Sequence, residues 1–398
     1  MHFTYQHTKL ACYASYISSA VVNNFAALLF VIFTHQFGLC MLELSFLITL
    51  NFCVQMLVDF LGAKYVDKIG YRKSIVAANV FSALGLAALG ILPQLMPAFS
   101  GLCCAVILYA IGSGLMEVLV SPIVEAIPSD GKAASMSFLH SFYCWGQMLT
   151  VLNTTAFFVL FGQQTWPVLC VLWAILPMLT ALLFTRVPIH SFTDEETKVP
   201  MRKLFGMKVF WIFLILMLCS GASELTMAQW ASLFAETALG VSKTVGDLFG
   251  PCLFAITMGI SRVLYGKFAD KVSLTKYIIL SAMLCVVSYL LVSICRSSVL
   301  SLTGCALCGF SVGVMWPGVL SLAAVKCPEG GTAIFALLAM AGDIGCFAGP
   351  ALAAQVSEHH SLLGSPLKAG LFAAVVFPIV LILGTYLLKN KKDERKDA

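Results

Sequence analysis

The sequence predicts an all-α polytopic membrane protein, with twelve transmembrane helices in two pseudo-symmetric six-helix halves. Three observations lead there. The 398 residues are 60% hydrophobic and 11% charged, with a mean hydropathy of +0.94, whereas a soluble domain carries about 25% charge. The apolar residues arrive in successive runs of about 20, the length a helix needs to cross a hydrocarbon core about 30 Å thick. Lys and Arg fall almost entirely in alternate connections between those runs. Together these exclude a water-soluble globule, and a chain so apolar and so weakly charged is not disordered.

Taken in order with a window of about 19 residues, the first six spans fall at about residues 10–34, 43–63, 74–92, 98–122, 136–160 and 166–186. The second six fall at about 209–235, 245–265, 277–295, 299–323, 332–356 and 368–388. The first run is longer than the apolar core of a signal peptide and is expected to remain a membrane helix. The longest polar stretch, Arg186 to Lys208 with Pro188, Asp194, Glu195, Glu196 and Pro200, separates spans six and seven. The expected organisation is a first half at 1–187, a linker at 188–208, a second half at 209–388 and a polar tail at 389–398.

With both termini on one side, that side holds twenty of the 24 Lys and Arg residues. Lys243, Arg296 and Lys368 lie on the other, and Arg262 lies within a span. By the positive-inside rule both termini are cytoplasmic, and the expected location is the cell membrane. The net charge of +5 then reports topology and contact with anionic headgroups, not affinity for nucleic acid.

Nearly all of the fifteen cysteines lie inside apolar runs. Cys305 and Cys308 have C-x-x-C spacing, but on an apolar helix, where packing is the better reading. No metal, cofactor or catalytic residue is expected. A phosphate-binding Gly-x-x-x-x-Gly-Lys-Ser/Thr loop is missing, which argues against direct use of ATP. Hydrolase motifs of the H-E-x-x-H and G-x-S-x-G kinds are missing too, so no enzymatic activity is expected.

Each half carries a related basic loop after its second span. The first runs from Gly62 through Asp67, Lys68, Gly70, Arg72 and Lys73; the second runs from Gly266 through Asp270 and Lys271 to Lys276. Duplicated six-helix halves around a central cavity are a common design of secondary transporters. The first loop resembles the signature loop of the major facilitator superfamily, Gly-x-x-x-Asp-basic-x-Gly-x-basic-basic, with Ala63 where the pattern has Gly. The second resembles its weaker repeat, with Ser273 in place of the second Gly. The resemblance covers essentially the whole chain and implies the major facilitator fold. It also implies a conformational latch at Asp67, Gly70, Arg72, Gly266 and Asp270, in which Asp67 accepts hydrogen bonds from a neighbouring helix N-terminus while basic residues meet carboxylates or terminal carbonyls.

An ionisable residue at the centre of a span costs about 2.5–3.5 kcal/mol on insertion scales. Asp59, Glu117, Glu224, Asp343 and Arg262 therefore each need a reason to be there. Asn51, Gln55 and Asp59 form one helical stripe, and Tyr16, Ser19 and Asn23 another that Asn24 widens. Ser113, Glu117 and Ser121 share a face, as do His140, Tyr143 and Gln147, while Ser220 and Glu224 lead toward Gln229 and Trp230. Such stripes line a watery cavity or bond between helices. Amides, hydroxyls and rings in combination suit a neutral polyhydroxylated ligand. Gly309 with Gly313, and Gly345 with Gly349, are G-x-x-x-G pairs for close packing, and Pro122, Pro317 and Pro350 are expected to kink their spans.

A second resemblance is to the fucose permease branch of that superfamily. It rests on Asn23-Asn24, on Met116 to Pro122, on Leu139 to Gly146, on Gly221 to Glu224 with Trp230, and on Gly309 to Pro317 and Gly342 to Pro350. It implies a sugar:proton symporter with a proton site in span four, at Glu117. The branch has a second acid in span one, where this chain has Ala26 and Ala27; Asp59 or Glu224 is the substitute. The expected function is proton-coupled transport of a small polar solute, a monosaccharide first, by alternating access in a monomer. The expected solute-binding residues are Asn23, Asn24, Gln55, His140, Tyr143, Glu224, Trp230 and Trp316. Glu224 is alternatively a partner for Arg262. The alternative function is export of amphipathic, drug-like compounds through a Met- and Phe-rich cavity.

Overall fold

The structure, a computed structural model, describes residues 3–125, 127, 132–189, 205–268, 273–327 and 331–388. Of residues 63, 64, 67, 68, 125, 132–138, 266–268, 324, 325, 331–333, 335 and 336 it describes the backbone alone. Among the described residues eleven helices are each long and apolar enough to cross a membrane, and a bent pair counted as one span makes twelve. That pair is α1 (Tyr5–Leu28) and α2 (Phe30–Phe37), which meet at 44°. The ladder tightens at the joint, where the Leu29 N–H bonds to Ala26 O, three residues back. Spans two to six follow as α3 (Met41–Ile69), α4 (Tyr71–Leu95), α5 (Ala98–Glu125), α6 (Lys132–Phe161) and α7 (Trp166–Phe184).

Span seven is α8 (Lys208–Leu239), and span eight begins as the short α9 (Lys243–Asp247), passes through a π turn at Leu248–Cys252 and continues as α10 (Leu253–Phe268). Span nine is α11 (Leu274–Ile294). Span ten divides into α12 (Ser298–Val312) and α13 (Met315–Lys326), span eleven is α14 (Gly331–His359), and span twelve divides into α15 (Pro366–Ala373) and α16 (Val376–Leu387).

The breaks in spans ten and twelve follow proline chemistry. A proline has no N–H for the carbonyl four residues back. Pro317 frees Gly313 O, where α12 gives way to α13; Pro378 offers Ala374 O no donor, and that carbonyl accepts instead from Phe377 N at 3.2 Å, three residues on, where α15 gives way to α16. Pro122 and Pro350 lie inside helices that run on unbroken.

The chain forms two compact units, 1–194 with 243–248, and 195–242 with 249–398. In the first unit, α4 packs on α5 and α7, α3 packs on α5, and α1 packs on α6, α5 and α7. In the second unit the pairings recur span for span: α11 packs on α12 and on α15 and α16, α10 on α12, and α8 on α14, α12 and α16. Glycines set the closest approaches. A Cβ at Gly345 would overlap Leu218 O, and one at Gly349 would overlap Thr226 Oγ1, so α14 and α8 meet backbone to backbone. Gly309 similarly faces Phe254 O across α12 and α10.

Cations cap helix ends in both units. Arg72 Nη1 donates to Phe184 O at 2.8 Å, closing the last turn of α7. Lys326 Nζ donates to Leu388 O at 2.6 Å, and Lys368 Nζ to Cys295 O at 2.7 Å. Each places a positive charge on the negative end of a helix dipole and satisfies a terminal carbonyl.

Between α3 and α4 stands one residue, Gly70, at φ 95° and ψ 135°. Its N–H closes α3 on Val66 O at 2.8 Å, and its carbonyl opens α4 by accepting from Ser74 N at 3.1 Å. Only a residue without Cβ holds that conformation at no penalty. Gly70→Ala is expected to lower stability by about 1–3 kcal/mol, read as a lower melting temperature of the detergent-purified protein. An unchanged melting temperature would contradict the one-residue turn.

Candidate functional site

In the first unit the polar stripes meet on α1. Asn23 Oδ1 accepts from Gln55 Nε2 at 2.8 Å and from Asn51 Nδ2 at 3.0 Å, both on α3. The Asn23 amide nitrogen donates to Ser113 Oγ on α5 at 3.4 Å. One turn away, the Ser19 and Ser113 hydroxyls lie 3.0 Å apart, and two turns from Asn23 the Tyr16 and Ser121 hydroxyls are 3.1 Å apart. The α1 face of Tyr16, Ser19 and Asn23 is therefore zipped to the α5 face that carries Glu117.

On the other flank of α1, Asn24 Nδ2 donates to Ala20 O at 2.9 Å and to the Tyr143 hydroxyl on α6 at 3.3 Å. The Tyr16 ring meets His140 edge to face, with centroids 5.2 Å apart. Asn23 with Gln55, Asn24 with Tyr143, and Tyr16 with His140 are thus three separate contacts that share α1. Among these residues Gln55 is buried, Asn23 and Tyr143 are half-buried, and His140 is exposed.

The acids divide by environment. Glu117 is exposed, although Ser113 and Ser121 one turn to either side are tied to α1. Asp59, one turn beyond Gln55, is half-buried, and Asp343 on α14 is buried. Glu224 on α8 is buried in the second unit, where its Oε2 lies 3.8 Å from Arg262 Nη2 on α10. The partnership that the sequence left as an alternative for Glu224 is present. Arg262 also donates from Nε to Gly313 O at 3.2 Å. That is the carbonyl left open by Pro317, so the one base at mid-span satisfies a broken ladder and faces a carboxylate at once.

The tryptophans are placed differently. Trp230 is fully buried, and its indole N–H donates to Pro350 O on α14 at 3.2 Å. It presents no surface to a solute in this conformation. Trp316 is half-buried and lies against Gly342, where a Cβ would overlap its ring. Of the latch residues, Gly70 and Arg72 are placed as above and Gly266 lies on α10 with its backbone alone described. The Asp67 side chain and Asp270 lie outside the described residues.

Sequence reasoning missed one charged cluster. Lys243 and Asp247, assigned there to a loop and to the start of span eight, are both buried and form an ion pair at 3.1 Å within α9. Thr155 Oγ1 on α6 stands 3.5 Å from Asp247 Oδ2. Their i, i+4 spacing was the available signal. The Ser15–Asn79 pair, buried between α1 and α4 with mutual contacts of 3.1 and 3.2 Å, was also unforeseen.

Residues 12–350 match the family model described as Major Facilitator Superfamily. No curated protein sequence matches the chain. Among solved structures, the nucleoside transporter NupG is similar with a TM-score of 0.77 at 11% identity, over 97% of this chain and 99% of that one. A D-xylose-proton symporter has a TM-score of 0.77 at 14% identity, over 96% of each chain. A bacterial homolog of the human lysosomal transporter Spinster, inward-facing and occupied, has a TM-score of 0.75 at 14% identity, again over 96% of each. At these identities the likeness concerns the fold.

The Glu224–Arg262 geometry makes a prediction about stability. Removing one partner of a buried pair strands the other charge, whereas removing both does not. With the pair 3.8 Å apart and its side chains 20% and 10% exposed, Arg262→Met is expected to lose about 1–3 kcal/mol more than the double variant Arg262→Met with Glu224→Gln. Thermal denaturation in detergent reads the difference. Equal melting temperatures for the two variants would show that the pair carries no coupling.

Proposed function

Because the chain belongs to the major facilitator superfamily, we propose that it is a secondary active transporter that moves a small polar solute by alternating access, in symport with protons. A monosaccharide is the first choice of solute. The observation that carries this reading is Glu117, an ionisable side chain left exposed within a span on a seam otherwise closed by hydroxyl and amide contacts.

The chemistry follows from that placement. A carboxylate within a span is expensive in its charged form, by about 2.5–3.5 kcal/mol on insertion scales. Protonation of Glu117 removes that charge, and so favours whichever conformation closes the seam away from water. A difference of about 1.4 kcal/mol between two conformations shifts their ratio tenfold. Asp59, one turn past the amide cluster, and Glu224 are the other carriers of a coupled proton.

Asn23, Asn24, Gln55, His140 and Tyr143 bind the solute. With no solute present Gln55 donates to Asn23 and Asn24 donates to Tyr143, and these groups offer paired donors and acceptors to hydroxyl groups when it enters. D-xylose and nucleosides, the solutes named for two of the similar folds, are polyhydroxylated molecules of that kind. Within the second unit the candidate solute contacts are Glu224, a carboxylate facing Arg262, and Trp316, whose ring is half-buried. Trp230 joins them only if α8 turns relative to α14, since its ring is enclosed in the described conformation.

The loop of Asp67, Gly70 and Arg72, with its counterpart at Gly266 and Asp270, latches the cytoplasmic side. Arg72 ties the start of α4 to the end of α7, so that end of the first half moves as one piece. The protein lies in the cell membrane as a monomer, with both termini cytoplasmic, as its Lys and Arg distribution favours.

Uptake of a sugar panel into proteoliposomes tests the proposal. Wild-type protein is expected to accumulate at least one monosaccharide under an inward proton gradient. Glu117→Gln is expected to keep solute exchange but to lose about tenfold or more of gradient-driven accumulation. Accumulation that ignores the gradient, or that survives Glu117→Gln unaltered, would remove the proton role. Export of amphipathic compounds with no sugar uptake would replace the solute class.

A further inference from the structure

Residues of α4, with Thr185, line a groove of about 460 Å³ whose apolar walls the transport reading does not use. Its walls are apolar, built from Val76, Val80, Phe81 and Leu84, the last 50% exposed. Its two cations stand together at one end, where Arg72 and Lys73 occupy the first turn of α4 and are both exposed. We propose that this groove binds one anionic phospholipid, with an acyl chain along α4 and the headgroup phosphate on Arg72 and Lys73.

Three features support that occupant. The first is length: from Lys73 to Leu84 the helix rises about 16 Å, at about 1.5 Å per residue. One leaflet is half of a hydrocarbon core about 30 Å thick, so the groove matches a single acyl chain running from headgroup to midplane. The second is charge. Arg72 uses Nη1 on Phe184 O; both it and Lys73 are exposed, so the remaining guanidinium N–H groups and the ammonium are donors a phosphate oxygen can reach. The opening turn of α4 adds the positive end of its helix dipole. The third is location: the Lys and Arg distribution puts this end of α4 on the cytoplasmic side, the leaflet rich in anionic lipid. A soluble anion would find the cations but would leave the apolar wall bare, whereas a zwitterionic lipid would fill the wall without net charge complementarity.

The test uses the full-length protein, delipidated in detergent and offered equimolar phosphatidylglycerol and phosphatidylcholine of the same chain length, with bound lipid counted by native mass spectrometry. The wild type is expected to retain phosphatidylglycerol over phosphatidylcholine by about tenfold. Lys73→Gln, which removes a cation but leaves the Arg72 cap, is expected to bring the excess below about twofold. Ala77→Phe, which fills the groove and keeps both cations, is expected to do the same. Equal retention of the two lipids by the wild type overturns the proposal, as does a wild-type excess in either variant. Displacement of the lipid by millimolar inorganic phosphate would reduce the site to a simple anion contact and also overturn it.

Discussion

The rest of the structure depends on the cost of an unsatisfied polar group where no water can reach it. In a membrane span each backbone or side-chain donor and acceptor needs a partner from the protein itself. At several places this chain meets the demand locally. Pro317 opens a carbonyl and Arg262 fills it; α7, α11 and α16 end in carbonyls, and Arg72, Lys368 and Lys326 cover one at each. The same demand draws Asn23, Asn51, Gln55 and Ser113 into one cluster. What distinguishes Glu117 is that it stands at the edge of such a cluster and keeps open surface.

Two six-helix units solve one packing problem twice. The first span of each packs on the fourth, fifth and sixth of its own unit, and the third of each packs on the fourth and sixth. The polar content differs between the copies. The first unit concentrates amides and hydroxyls on α1, whereas the second concentrates glycines where α8 meets α14 and holds the Glu224–Arg262 pair. The duplicated scaffold therefore carries unlike linings in its two copies.

Much of the fold was legible in the sequence because membrane insertion is governed by one-dimensional quantities. Run length and the positions of Lys and Arg located all the spans, and the periodicity of 3.6 assigned each polar residue to a helix face. The stripe of Tyr16, Ser19 and Asn23 and that of Ser113, Glu117 and Ser121 were visible separately. That they face each other is a tertiary fact no spacing encodes. Trp230 shows the same limit: the i, i+6 step from Glu224 gave its neighbourhood but not its direction, and the ring turned toward Pro350. Lys243 and Asp247 escaped notice because a polar pair at the edge of an apolar run looks like a loop, and only their burial makes them an ion pair. The joint at Leu29 had no proline or glycine to announce it, since the bend arises from a change of hydrogen-bond register at Ala26.

The central claim is that the amide cluster on α1 is where a neutral polyhydroxylated solute is held. Its most direct test is the melting temperature of the purified protein with each member of a monosaccharide panel, for the wild type and for Asn23→Ala. A ligand present at about 100 times its Kd stabilises the folded state by about 2.7 kcal/mol. The account predicts that at least one sugar raises the wild-type melting temperature and leaves that of Asn23→Ala unmoved. A panel with no effect on the wild type, or a sugar that shifts both proteins equally, would contradict it.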